Sequence, residues 1–344
     1  MENKELLEML LSTPSPSGYE LNMQKKLIEY MKDVDEEVIT SENYNVVHVL
    51  NPNAKTKILF SAHIDEIGVV INKINDNGIC EVEPIGGARA YMYAGQHVYV
   101  LTKNGKVPGV FGYLPHMDKG ITVADLRLDL GVSSREEALK IVNIGDPITH
   151  QMCYSYLNNN RLAAKALDDK IAVYIFLSLM KRLKGKTDLG IYVSTSVGEE
   201  TTCRGVEVAV KTVKPNAVIC ADVTYAADLN YRENLHGEIA LGKGPVLTEG
   251  SLMNKKLDQL FINAAKDLEI NTQREVAPGR TYTDSDYSYY QGLSTPTYLV
   301  SIPLRYMHSS VEVCDLQDIK QIIDLMEKFV LNFNPNTSFN PFDE

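Results

Sequence analysis

Apolar residues recur at helical spacing in LLEML and YELNMQKKLIEYM, which predicts helices over residues 2–11 and 19–32. Between them TPSPSGYE carries Pro14, Pro16 and Gly18, a turn signal. The pattern then changes to short β-branched runs. VVHVL, KTKILFSAH and GVVINKI are bounded by Asn, Pro or Gly and read as strands. KILF is almost continuously apolar, as a central strand buried on both faces would be.

From about residue 73 to 160 the pattern is shorter and alternating. CEVEPIG, HVYVLTKNGKVPGVFG, ADLRLDLG and GDPITH predict strands joined by Gly-rich turns. One helix interrupts them, opening at Ser133 with Glu136 three residues on, the spacing of a capping box. After residue 160 strands and helices alternate. DDKIAVYIFLSLMKRLK, GVEVAVKTV, KKLDQLFINAAKDL and DLQDIKQIIDLMEKFVLNF predict helices; LGIYVSTSV, NAVICADV and PTYLVSI predict buried strands. Alternation of this kind implies an α/β fold whose largely parallel sheet is covered by helices on both faces. The predicted organisation is one α/β domain made of residues 1–72 and 161–344, with a small β-rich domain, residues 73–160, inserted at a surface loop. The tail SFNPFDE reads as frayed.

Composition narrows the picture modestly. The chain has 344 residues, 44% hydrophobic and 23% charged, as an ordinary globular protein would. A formal net charge of -11 argues against a nucleic-acid partner and against an anionic membrane surface. MENKELLEML lacks a signal-peptide core, and no run of 18 apolar residues is present, so a cytoplasmic protein is expected. Cys80, Cys153, Cys203, Cys220 and Cys314 show no CxxC spacing, so neither a disulfide framework nor a Cys-rich zinc site is expected.

Five clusters carry the candidate chemistry: SAHIDEIG around His63, KALDDK around Asp168, VGEE ending at Glu200, CADVT around Asp222 and LRYMHSS around His308. Four of them follow apolar strand-like runs, and ligand sites of open α/β sheets lie at the carboxyl ends of strands. His63 has Asp65 two residues on, an acceptor able to orient a metal-bound imidazole. Asp168 and Asp169 open a helix, where capping explains one carboxylate better than two. Glu199 and Glu200 divide into a general base and a ligand. Each cluster alone is also explained as a polar loop or cap. Together they sort into two cation sites, His63 with Asp222 and Glu200 with His308, bridged by Asp168. The implied reaction is metal-assisted hydrolysis of a peptide or other amide bond.

The order and spacing of these motifs resemble the M42 metallopeptidases, also described as glutamyl, deblocking or tetrahedral aminopeptidases. The likeness runs through PSGYE (16–20), SAHIDEIG (61–68), DLRLDLG (125–131), KALDDK (165–170), GEE (198–200), RGVEVAV (204–210), DVTYAAD (222–228), TDS (283–285) and RYMHSSVE (305–312). It implies an α/β domain of zinc-peptidase type with an inserted β-barrel of PDZ-like character. It also implies two divalent ions, zinc or cobalt, held by His63, Asp168, Glu200, Asp222 and His308. Asp168 is then the bridge, commonly followed by a cis peptide, with Glu199 the base and Asp65 the residue behind His63. The activity implied is removal of N-terminal residues from short peptides by a homo-oligomer, commonly a tetrahedral dodecamer whose sites face an inner chamber. Gly198 stands where the family often has Gln, and Lys170 where it often has Arg. A relative label, endoglucanase, does not suit two metals, because glycosidases use a spaced carboxylate pair.

Substrate preference is less legible. Arg232, Arg274, Arg280 and Arg305 each read either as a contact for a carboxylate or as a surface charge. TYTDSDYSYY (281–290) reads either as a hydroxyl-rich pocket wall or as a polar segment with buried rings. The enzymatic rival is a deacylase or dipeptidase for a specialised amide, and the non-enzymatic rival is a binding protein of the same fold.

Overall fold

The structure, a computed structural model, describes residues 2–113, 120–151, 153–229, 237–289 and 294–343. The chain opens with α1 (Lys4–Ser12), α2 (Leu21–Met31), β1 (Glu37–Thr40), β2 (Val46–Leu50) and β3 (Lys57–His63). There follow β4 (Gly68–Ile74), β5 (Cys80–Ile85), β6 (His97–Thr102), β7 (Gly105–Phe111), β8 (Leu128–Asp129), α3 (Arg135–Leu139) and β9 (Pro147–His150). Next come β10 (Tyr154–Tyr156), β11 (Arg161–Ala164), α4 (Leu167–Leu183), β12 (Gly190–Ser196), α5 (Arg204–Val213), β13 (Ala217–Tyr225) and β14 (Val246–Gly250). The chain closes with α6 (Lys255–Asp267), β15 (Gln273–Ala277), α7 (Asp284–Tyr289), β16 (Thr297–Leu304), β17 (Glu312–Asp315) and α8 (Leu316–Leu331).

Eight strands form one sheet in the order β1-β2-β12-β3-β13-β16-β14-β15. The sheet is mixed, where a largely parallel one is expected from sequence. The contiguous strands β12, β3, β13 and β16 are parallel, as is the β14–β15 pair; β1–β2, β2–β12 and β14–β16 are antiparallel. The difference lies at the flanks: β1 and β2 are joined by a short turn, while β2–β12 and β14–β16 pair segments far apart in the chain. The parallel centre is buried from both sides: every residue of β12 and β16 is buried. Helix α4 packs on β3 and β13 with α1 and α8 beside it, while α5 and α7 pack together on β12, β13 and β16. Phe60 of β3 meets Phe176 of α4 with ring centroids 5.2 Å apart.

Strands β4-β5-β8-β7-β6-β9 close into a six-stranded barrel with its own core, which includes Val69, Val82, Val98, Phe111 and Ile148. A third, three-stranded sheet joins β10, β11 and β17. The predicted capping box is shifted by one residue: Ser134, not Ser133, accepts from the Glu137 backbone, and Glu137 reaches back to the Ser133 N–H. The tail is tied down rather than frayed. Lys256 Nζ donates to the carbonyls of Ser338, Asn340 and Asp343, and Phe339 packs against the main core. Among the described residues no helix is long and apolar enough to cross a membrane.

One glycine fixes the turn that leaves β12. A Cβ on Gly205 would lie 2.4 Å from Val197 N and 2.6 Å from Val197 O, main-chain atoms that cannot swing aside. Gly198 opens this turn with φ of 68°, and its carbonyl accepts from the N–H groups of Thr202 and Cys203. Gly205→Ala should therefore lower stability by about 1–3 kcal/mol, read as an earlier urea midpoint; an unchanged midpoint would show that the turn yields freely.

Candidate metal centre

The four central parallel strands deliver the sequence clusters to one edge. His63 ends β3, Asp222 lies near the end of β13, Glu199 and Glu200 follow β12, and His308 follows β16. Asp168 and Asp169 arrive from the start of α4. Their backbone is not helical, with φ/ψ of -72°/105° and -118°/27°, and the peptide joining them is cis, as the family likeness implies. Their carboxylates turn to the imidazoles instead of capping the helix.

The Asp168 carboxylate sits between the two histidines. Its Oδ1 is 3.1 Å from His63 Nε2, and its Oδ2 is 3.0 Å from His308 Nε2. Glu200 Oε2 is 3.5 Å from His308 Nε2, and Glu199 Oε2 is 3.8 Å from His63 Nε2. Two groups of potential ligand atoms have all members within 4.8 Å of one another: His63, Asp169 and Asp222, and His63, Asp168 and Glu200. All five predicted ligands therefore converge, and Asp169 joins them.

Asp65 is fully buried and braces this edge without entering the cleft. Its carboxylate accepts from the backbone N–H groups of Glu199 (3.0 Å) and Glu200 (3.3 Å) and from the Ser17 hydroxyl (2.6 Å). The His63 Nδ1 faces the Asp65 main-chain carbonyl at 3.1 Å and the carboxylate at 3.5 Å. Sequence reasoning gave no role to Glu312 or Asp284. Glu312 accepts from the backbone N–H groups of both Asp168 and His308, fixing the bridge and one imidazole together. Asp284, at the start of α7, accepts from Ser61 and Ser196 beneath the cluster. Both lie in motifs that carry the family likeness, VE after His308 and TDS, the one signal that pointed to them. Tyr306 and His308 adopt left-handed backbone, with φ of 62° and 56°, a strained form for residues with a side chain.

The electrostatics are those of a site made for cations. Burial raises the Asp169, Glu199, Glu200 and Asp222 carboxyls well above their ordinary range, and neighbouring carboxylates add to the rise. Burial opposes charge on the imidazoles. On His308 the hydrogen bond to Asp168 and the Asp168 and Glu200 charges override it and raise the group to about 10; on His63 hydrogen bonds to Asp168 and Asp65, with the Glu199 and Asp65 charges, carry it well above its usual value. Asp169 Oδ1 is buried with no hydrogen-bond partner. Imidazole nitrogens and carboxylate oxygens suit a borderline divalent ion such as zinc, and an ion there would reverse the sign of the carboxyl shifts. The residues fit.

A cleft of about 480 Å³ opens on the cluster and is also lined by Glu275, Ala277, Arg280, Thr281, Tyr282 and Thr283. The arginines are engaged elsewhere: Arg274 pairs with Asp258, Arg280 with Asp286 and Arg305 with Asp228. Arg232 and Tyr290 lie outside the described residues. Tyr282 and Tyr289 expose their rings rather than burying them. Cys80, Cys220 and Cys314 are buried, Cys153 is exposed and Cys203 lies beside Glu199; all five are free thiols.

Residues 45–325 match the family model described as M42 glutamyl aminopeptidase. The chain is 34% identical to the lysyl aminopeptidase of Pyrococcus furiosus, over 97% of this chain and 99% of that one. Its fold is similar to an aminopeptidase from the archaeon Desulfurococcus kamchatkensis, with TM-score 0.90, 30% identity and coverage of 96% and 95%. It is also similar to the TET1 peptidase of Pyrococcus horikoshii, described as able to assemble into a tetrahedron or a large octahedral shell, with TM-score 0.86, 28% identity and coverage of 96% and 99%.

A cation must displace the protons that Asp168 holds on the two imidazoles. Titration of the metal-free protein with Zn²⁺ near pH 7 should release at least about one proton per ion and tighten as pH rises. Calorimetry in buffers of different protonation enthalpy reads the release, and binding without it would contradict this charge state.

Proposed function

This chain belongs to the M42 peptidase family and is a metal-dependent aminopeptidase, and from that premise we propose that it removes N-terminal residues from short peptides at a dinuclear centre. The observation that carries the proposal is the Asp168 carboxylate, which offers one oxygen to each of the two imidazoles. In this reading His63 and Asp222 would hold one ion, Glu200 and His308 the other, and Asp168 would serve both. Asp169, with its unpartnered buried oxygen, lies within reach of His63 and Asp222. Divalent ions, zinc or cobalt, would supply Lewis acidity there.

The protein's own groups do the remaining work. Glu199 takes a proton from the attacking water as its oxygen bonds to the carbonyl carbon. The C–N bond then breaks, and Glu199 returns that proton to the departing amine. Its placement supports this role: the backbone N–H of Glu199 is clamped by Asp65, and among the described residues its Oε1 is approached only by the weak donor Cys203 Sγ, at 3.5 Å. Asp65 is a positioning residue, because it holds the Glu199–Glu200 turn and the outer nitrogen of His63 without facing the cleft.

We also propose that the barrel is a domain inserted into the α/β catalytic domain, and that the protein works as a homo-oligomer, by kinship a tetrahedral dodecamer. The assemblies described for the Pyrococcus horikoshii relative support the latter.

Glu199→Gln should retain both ions by elemental analysis and lose turnover by about 10²–10⁴-fold; near-normal rates would remove Glu199 as the base. A substrate panel separates the aminopeptidase from an amide deacylase. Amino-acyl anilides with a free α-amine should turn over with Zn²⁺ or Co²⁺, and turnover confined to N-acyl amides would overturn the aminopeptidase reading.

A further inference from the structure

The cleft contains a second carboxylate site, separate from the proposed ligands. Glu275, on β15, lines it and is only 6% exposed. Its Oε1 accepts from the Thr248 hydroxyl (2.5 Å) and from the Ser301 hydroxyl. Its Oε2 has no hydrogen-bond partner among the described residues, and no described cation lies within ion-pair distance of Glu275. A carboxylate buried this far without a counter-charge is costly, unless something that enters the cleft supplies the charge.

The register of the sheet brings this group into the same cleft as the cluster. Ser301 is the ladder partner of Asp222, so it is displaced from that proposed ligand by one strand spacing of about 4.8 Å, and parallel partners share a face. Glu275 reaches back across β14 to bond the Ser301 hydroxyl. Val223, Ala277 and Leu299 line the same cleft. Apolar lining together with a carboxylate that lacks a counter-charge suits an aliphatic stem tipped by a cation, as in lysine. Arg280, which also lines the cleft, does not reverse this. Its guanidinium is paired with Asp286 at 3.0 Å and lies over the Tyr282 ring, half-exposed.

We propose that Glu275 is the specificity-determining residue of this cleft and selects peptides with a basic N-terminal residue. The inference rests on the aminopeptidase reading above. The metal-loaded protein would be assayed on lysyl, arginyl, leucyl, alanyl and glutamyl anilides. Lysyl and arginyl substrates should exceed the leucyl one by roughly tenfold or more in kcat/KM, and Glu275→Gln should lower the lysyl-to-leucyl ratio by roughly the same factor. Independently of any variant, free lysine should inhibit the wild-type protein more strongly than norleucine, which has the same stem without the charge. No cleavage of any amino-acyl anilide would sink the aminopeptidase reading itself. Preference for leucyl or glutamyl substrates, an unchanged ratio in Glu275→Gln, or equal inhibition by norleucine would overturn this proposal and leave that reading standing.

Discussion

A carboxylate removed from water must find positive charge or donors, and this fold buries more carboxylates than it supplies cations for. Where the balance is met, the result is structural. Glu66 accepts from Lys165 (2.8 Å), Lys170 (2.6 Å) and Thr149 (3.1 Å). Burial would raise its carboxyl, but the two ammonium groups hold it down at about 2. Because Thr149 belongs to the barrel strand β9 and Lys170 to helix α4, this network also ties the barrel to the main sheet.

A few residues away, the balance is deliberately unmet. Asp168, Asp169, Glu199, Glu200 and Asp222 converge with two imidazoles and, among the described residues, no lysine or arginine in direct contact, and that deficit marks the candidate cation site. The surrounding structure holds the repelling groups together. Asp65 clamps the Glu199–Glu200 turn, Glu312 ties Asp168 to His308, and Gly205 lets α5 close against Val197 so that the turn cannot drift. Repulsion within the cluster is thus carried by hydrogen bonds outside it. The same logic, two strands beyond β16, leaves Glu275 with hydroxyl partners but, among the described residues, no counter-ion.

Much of the site was legible in the sequence because its chemistry is local. A strand ending in His, a Glu pair after an apolar run and an Asp ending a buried strand each declare a carboxyl-edge position. Glu312 and Asp284 were not legible in that way. They act through backbone N–H groups and serine hydroxyls of distant segments, and no spacing rule reports such contacts. The flanking strands were missed for a related reason: β14 and β15 are short and partly exposed, and their pairing is set by the sheet they join.

The sequence by itself determined the alternation of elements and the inventory of candidate ligands and candidate base, because periodicity and residue type suffice for these. Only the tertiary structure decided the mixed direction of the sheet, the shift of the helix cap to Ser134, the ordering of the tail by Lys256, and which carboxylates are compensated. Each depends on what packs beside a group rather than on what precedes it in the chain. Charge compensation is the clearest case: Glu66 and Glu275 are both buried glutamates, and only their neighbours in space separate a structural ion pair from an open binding group.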